Sequence, residues 1–535
     1  MTKSFFIETV GCQMNVLDSE LVASSLLERG YAQAESAREA DVLLFNTCSV
    51  RQHAEDKIYS ALGRLKHAKK HRPSKLIGVV GCMAQKDGAL IFRRAPHVDL
   101  VVGPSQLGRL PELIDEAAAG PVLAVSADRN AETHREARAS FVPFNPARRA
   151  ETRGSAHQAM VRVAFGCDHF CSYCIVPSVR GPDQSRPIEQ IEEEVRRLAR
   201  QAMRQGVAFE ATLIGQTVNS YRYRDGDKTY RMADLLERLN PIEGLSRLKF
   251  VTNHPRYMTQ DLLDAVRDLE KVAPYLHVPA QSGSDRMLRL MRRGYTSAEY
   301  REMLGRIRET IPGAAVTSDF IVGFCGETEA EFLETVELVR DARFKNSFIF
   351  KYSPRSGTHA AEHLDDDVPE EEKRRRNNEL LAVQNAISEE DNRAMAGRTV
   401  EILVEGPSKA SIKRESTDEN SAEESSAHSR LSLRESSADK HNVFERDKGK
   451  NEVRRSRVPE SDGSDSTERE DIADATLLSR SERRLSSPQP DAIQLVGRTA
   501  DDRMVVFDGT AELIGQIVQV EIERTSPFTL FGRIS

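Results

Sequence analysis

The chain has 535 residues, seven cysteines, no tryptophan and a formal charge of -7. That length accommodates about three domains, and the acidic balance excludes binding nucleic acid through global charge, so any RNA contact must be a local basic patch. The N-terminus lacks a leader pattern and no run of roughly 18 apolar residues occurs, which predicts a cytoplasmic protein with no membrane segment, whose thiols stay reduced and serve as ligands.

Residues 1–126 alternate apolar strand-like runs with amphipathic stretches, the pattern of a parallel α/β domain. Strands are predicted at Phe5–Val10, Val42–Asn46, Leu76–Val80, Val98–Val102 and Val122–Val125, with helices at Asp18–Arg29, closed by Gly30, and His53–His67. Cys12, Cys48 and Cys82 share one context: an apolar run, one or two small or turn-forming residues, then cysteine. Their separations of 36 and 34 residues are close to one βαβ unit each. All three therefore fall where strands hand over to helices, the edge at which open α/β sheets carry their sites. The competing role for each is that of a small buried hydrophobe at a strand end.

Residues 127–155 are polar, contain Pro143 and Pro146, and read as a linker. From 156 to 385 a second alternation begins, with strands at Met160–Ala164, Glu210–Ile214, Arg247–Thr252, Tyr275–Val278, Ala315–Val322 and Asn346–Lys351. Six βα units predict an open, partial (β/α)6 barrel rather than a closed eight-stranded one. A charged helix, Pro369–Arg398, leaves it, with residues 386–396 as the connecting piece. The last part, 397–535, offers strands at Val400–Val404, Val505–Phe507, Ile517–Ile522 and Leu530–Ile534, a small β-barrel interrupted by a tract at about 412–490. That tract is so poor in aliphatic and aromatic residues that burial cannot offset its ordering entropy, which predicts a disordered insertion. Basic stretches at 145–154, 195–206 and 286–295 are candidate RNA contacts, with solvated helix faces as the alternative.

Cys167, Cys171 and Cys174 are spaced C-x3-C-x2-C. Three thiolates so close cannot share a helix face, so they lie on a loop wrapped round something small. Zinc would want a fourth ligand, for which His169 is the candidate. An iron-sulfur cluster with three thiolates keeps one iron open for a second ligand, and the loop follows the first barrel strand, where barrel folds carry chemistry.

These residues resemble the radical S-adenosylmethionine superfamily, and Tyr173 matches its usual aromatic before the last cysteine. The stretches GCQMNVLDSE (11–20), FNTCSVRQHAEDKIYSALGRLK (45–66), GCMAQKDG (81–88), FGCDHFCSYCIVPSVRGPDQSRP (165–187), LIGQTVNSY (213–221), HVPAQSGSDRMLRLMRRGYT (277–296), DFIVGFCGETEAEF (319–332) and KYSPRSGTHAA (351–361) narrow the resemblance to the methylthiotransferases. CQMN and NTCSVR favour the bacterial branch that acts on N(6)-dimethylallyladenosine beside the anticodon of tRNA. The branches acting on threonylcarbamoyladenosine or a ribosomal-protein aspartate are the alternatives, and a non-catalytic iron-sulfur RNA-binding redox sensor is a distant one. The resemblance implies two [4Fe-4S] clusters and S-adenosyl-L-methionine. Cys12, Cys48 and Cys82 would hold an auxiliary cluster, and Cys167, Cys171 and Cys174 the cluster that cleaves the cofactor. Tyr173, Gly215, Gln216 and Thr217 would meet the cofactor itself, with simple packing for Tyr173 and a tight strand-to-helix turn for the other three as the alternatives, and HVPAQSGS (277–284) and IVGFCGE (321–327) would line the other side of its pocket. It further implies a TRAM-like RNA-binding barrel at the C-terminus, a tRNA anticodon stem-loop bearing isopentenylated adenosine as partner, an electron donor such as a flavodoxin or ferredoxin, a sulfur source, and a monomer. Cys325 departs from the family pattern and is expected to be a buried structural thiol.

Overall fold

The computed structural model describes residues 2–49, 52–126, 144–412 and 492–535. The N-terminal part is a six-stranded, wholly parallel sheet built from β1 (Ser4–Val10), β2 (Ala32–Gln33), β3 (Val42–Thr47), β4 (Leu76–Gly81), β5 (Leu100–Val102) and β6 (Val122–Ala124), in the order β2-β1-β3-β4-β5-β6. Every residue of β3 is buried, as a parallel strand covered on both faces requires. One apolar cluster, with Leu44, Val80 and Val102, covers one face, and another, with Leu43, Phe45 and Val79, covers the other.

The middle of the chain forms the partial barrel. Strands β7 (Gln158–Arg162), β10 (Glu210–Ile214) and β13 (Arg247–Phe250) pair in parallel, as do β14 (Tyr275–His277), β15 (Ala315–Val322) and β16 (Asn346–Lys351). The halves meet where Ala273 N–H donates to the Leu248 carbonyl at 2.9 Å and Asn253 N–H to that of His277 at 3.2 Å. The edges β7 and β16 stay apart, so the barrel is open. Two short pairs accompany it: β8 (Ala164–Phe165) with β9 (Gln184–Ser185), bracketing the cysteine loop, and β11 (Arg222–Asp225) with β12 (Lys228–Arg231). The helix Glu370–Arg393 then leads to the C-terminal module.

That module is a closed five-stranded barrel of β17 (Thr399–Pro407), β18 (Ile493–Arg498), β19 (Met504–Gly509), β20 (Ile517–Thr525) and β21 (Thr529–Ile534). The predicted insertion lies outside the described residues apart from Ile412, which ends a helical turn. It joins β17 to β18, which pair antiparallel, so it occupies a hairpin connection and crosses no strand. The module seals the N-terminal mouth of the partial barrel. Glu210 takes Arg247 at 3.2 Å and Lys249 at 3.1 Å, Lys249 reaches Asp502 at 3.0 Å, and Arg247 donates to the Arg498 and Thr499 carbonyls.

The residues 127–143 of the expected linker lie outside the described residues, and 144–155 mix exposed residues (Ala147, Arg149, Glu151, Gly154) with one buried anchor. Arg148, with a fully buried side chain, bridges Glu20 of the first helix (3.0 Å) and Glu194 of the barrel helix Ile188–Arg204 (2.7 Å). No helix among the described residues is long and apolar enough to cross a membrane.

Candidate active site

The dispersed cysteines meet because their strands are neighbours. In the adjacent strands β1, β3 and β4 the last residues lie in register, Val10 beside Thr47 and Thr47 beside Gly81, and one cysteine follows each strand. Cys48 N–H donates to the Val10 carbonyl at 3.0 Å. The crowding explains the glycines before two of them. A Cβ on Gly11 would stand 2.6 Å from that of Cys48, and Gly81 has φ +92° with Asn46 Oδ1 2.4 Å from where its Cβ would be. Cys12 is the N-cap of the helix Gln13–Glu28, which starts five residues before the predicted Asp18. Below it Asn15 and Asn46 interlock: Asn15 Nδ2 donates to Asn46 Oδ1, Asn46 Nδ2 donates to the Asn15 carbonyl, both at 2.8 Å, and the Cys12 thiol reaches Asn15 Oδ1 at 3.2 Å.

Cys12 is held at about 5, mainly by a hydrogen bond from Cys48, with the Arg180 charge assisting and burial opposing. Burial raises Cys82, and Arg180 beside it acts in the other direction. Cys82 also packs on Ile175 and Val179, the residues that follow Cys174. The dispersed triad is thus in contact with the segment that leaves the compact one.

The compact triad is a loop pinned from both sides. Ser172 N–H donates to the Met291 carbonyl at 3.0 Å and Ser172 Oγ to that of Leu290 at 2.7 Å, while Ala360 N–H reaches the Ser172 carbonyl at 2.7 Å. Phe170 takes φ +48° as the loop turns, and Cys174 N–H donates to the Cys171 carbonyl at 3.0 Å. Burial pushes Cys167 up to about 11 and Cys174 to about 12. Arg293, itself buried, brings a guanidinium nitrogen to 3.3 Å from Cys171 Sγ and is steadied by Tyr295 Oη at 3.0 Å. Thr217 Oγ1 lies 3.8 Å from Cys167 Sγ, and Gly215 offers its carbonyl to Thr252 Oγ1 at 2.9 Å; Gln216 beside them is half-buried. Tyr173 packs edge-on against Phe324, with ring centroids 6.4 Å apart. His169 is stacked on His254, with ring centroids 4.3 Å apart.

Among the described residues no three His, Cys, Asp or Glu side chains converge on a point that one ion would fill. Each set of three thiols has a buried arginine beside it to offset thiolate charge, Arg180 by Cys82 and Arg293 by Cys171, which suits a thiolate-bound cluster.

Residues 4–103 match the model of uncharacterized protein family UPF0004, 161–339 that of the radical SAM superfamily, and 486–535 that of the TRAM domain. The tRNA-2-methylthio-N(6)-dimethylallyladenosine synthase of Rhodopirellula baltica is 47% identical over 100% of this chain and 96% of its own length. The chain belongs to that family of radical SAM methylthiotransferases. The synthase of the same name from Moorella thermoacetica is 44% identical over 76% of this chain and 88% of that one. The solved radical S-adenosylmethionine methyltransferase TsrM of Kitasatospora setae is 14% identical, with a TM-score of 0.47 over 65% of this chain and 73% of that one.

This synthase-family chain welds its two cysteine sites together with buried charge. Asp18 of the first helix accepts from Arg162 of β7 and, at 2.8 Å, from Arg180, the same arginine that lies beside Cys82 and Cys12. Arg186 and Arg148 share Glu194 alongside. None of these roles was apparent from local pattern, because a lone arginine in SVRGPD or MRRGY looks like surface charge. Within the basic stretches named as candidate RNA contacts, Arg148 (145–154) is buried in the clamp and Arg293 (286–295) faces Cys171. In the third, Arg196 is committed to Glu192 at 2.7 Å. Cys325 is buried with Phe324 and Tyr352, in a cluster against which Tyr173 of the compact loop also packs.

Proposed function

We propose that this chain inserts a methylthio group at carbon 2 of an isopentenylated adenine next to the anticodon of tRNA. The observation that carries the reading is the contact of Cys82 with Ile175 and Val179, which joins the dispersed thiols to the segment that leaves the compact loop. Carbon 2 is aromatic and not acidic, so acid-base chemistry has little purchase on it. Bound clusters and S-adenosyl-L-methionine would supply the radical that removes its hydrogen and the sulfur that replaces it.

The chain's own residues hold, orient and shield. Cys167, Cys171 and Cys174 would hold the cofactor-cleaving cluster, Arg293 would balance thiolate charge, and Tyr173, Gly215, Gln216 and Thr217 would bind the cofactor. Cys12, Cys48 and Cys82 would hold the auxiliary cluster, and Arg180 beside Cys82 would offset its charge. The Asp18 and Arg148 clamps keep the two at fixed separation, and the C-terminal barrel plugs the far mouth against water. The same module is the TRAM-type RNA-binding element, which works with the flipped base as single-stranded RNA recognition generally does. A flavodoxin- or ferredoxin-like donor and a sulfur source complete the reaction in the cytoplasm, and a single chain contains every residue invoked.

The test is anaerobic incubation of the reconstituted chain with defined anticodon stem-loops carrying adenosine, isopentenyladenosine or threonylcarbamoyladenosine, followed by nucleoside mass spectrometry. Methylthio product on the isopentenylated loop is expected. Product only on the threonylcarbamoylated loop, or none, would refute the reading.

A further inference from the structure

The inner wall of the partial barrel carries an arrangement that the cysteine chemistry does not use. Along β16 the side chains alternate: Ser347 donates to Gln384 of the following helix at 2.8 Å and Ile349 packs in the outer core, so Phe348 and Phe350 face the lumen. Each is 42% exposed although both lie on a barrel strand. On β15, Phe320 and Val322 are in the outer core, which turns Asp319 and Ile321 inward. The parallel register sets Asp319 beside Phe348 and Ile321 beside Phe350. Ile321 packs against the same cluster as Tyr173 of the cysteine loop. Asp319 has one oxygen 3.5 Å from His277 Nε2, and its other oxygen, Oδ1, is buried without a hydrogen-bond partner.

A buried carboxylate oxygen lacking a donor is costly unless a ligand supplies one. Two neighbouring exposed aromatic rings on an inward face likewise want an apolar occupant. An acceptor flanked by apolar rings complements a donor that carries hydrocarbon, and the substrate reading supplies one: a secondary amine on an aromatic base, with a single N–H and a branched hydrocarbon on the same nitrogen. We propose that Asp319, Phe348 and Phe350 form the receptor for the N(6)-alkylated edge of the substrate adenine, the carboxylate accepting the N(6)–H and the two rings enclosing the five-carbon branch. The inference rests on the substrate reading above and assigns the residues that discriminate an alkylated adenine from a bare one. Phe348 and Phe350 are specificity-determining contacts, since adenosine offers the same edge without the hydrocarbon. Asp319 serves both, because both present an N(6)–H.

The test is equilibrium binding of fluorescent anticodon stem-loops to the full chain, read by anisotropy with no turnover. Wild type is expected to prefer the isopentenylated loop. Phe348→Ala and Phe350→Ala should each weaken that complex roughly tenfold, the worth of an aromatic contact with a hydrocarbon, with the affinity for the unmodified loop unchanged. Asp319→Asn, isosteric and still an acceptor but uncharged, should weaken both complexes by a similar factor, roughly fivefold. Both phenylalanines are half-exposed, so their truncation leaves the core intact. A wild-type preference that survives in the phenylalanine variants would overturn the assignment, as would equal loss for both RNAs or loss of S-adenosylmethionine binding in place of RNA selectivity. A wild-type chain with no preference would instead contradict the substrate reading underneath.

Discussion

Asp18→Asn removes one charge and leaves two buried guanidinium groups facing an amide. The Asp18 side chain is 2% exposed, Arg162 3% and Arg180 7%. Burial pushes the Asp18 carboxyl up, but Arg180 and Arg162 outweigh it and hold the group below the usual carboxylate range. Removing one partner of a buried ion pair costs about 3–5 kcal/mol, most of it the uncompensated charge that remains. Because both arginines share one carboxylate the two losses do not add, and the expected cost at neutral pH is that of one pair. A lowered folded-state value means the stabilisation is fully present above the unfolded value near pH 4 and is lost as pH falls through the folded one. The gap between wild type and Asp18→Asn should therefore be constant from pH 8 to about pH 5 and close below about pH 4. Urea unfolding followed by far-UV circular dichroism reads it, since the chain has no tryptophan. Equal stability at pH 7, or a gap that persists undiminished into acid, would refute the account of this clamp.

Arg293→Met takes a buried positive charge from beside Cys171, so the midpoint potential of the reconstituted compact-site cluster should fall by on the order of 60 mV, the equivalent of a tenfold change in a one-electron equilibrium; a redox titration showing no change would remove Arg293 from that role. Gly11→Ala drives a Cβ into Cys48 and should cost about 1–3 kcal/mol in thermal unfolding while lowering iron retention at the dispersed site. Deleting 413–491 and joining β17 to β18 by a short turn should leave the C-terminal barrel at least as stable, because a shorter loop closes at lower entropic cost; collapse of the barrel on deletion would contradict the hairpin placement.

The sites were legible in the sequence to the extent that their chemistry is local or periodic. C-x3-C-x2-C declares itself in one loop, and the shared strand-then-turn context of Cys12, Cys48 and Cys82 was enough to place them on one sheet edge, where the register of β1, β3 and β4 aligns them. The start of the first helix was missed because its first turn carries an asparagine and a buried methionine that pack on both sides, so no amphipathic stripe marks it. β18 was not drawn as a separate strand because its partner β17 lies on the far side of a long polar tract. Arg180 and Arg293 were invisible as site residues for a different reason. Burial of a charge is a property of what folds over it, and Asp18, Cys82 and Cys171 come from distant parts of the chain.

The most direct measurement of the central claim is iron and sulfide per chain after anaerobic reconstitution of wild type, Cys12→Ala and Cys174→Ala. Two independent clusters predict about eight irons in wild type and about four in each variant, with four-iron clusters at both triads. A wild type that saturates near four, or a Cys12→Ala variant that still holds about eight, would contradict the division of labour between the two sets of cysteines.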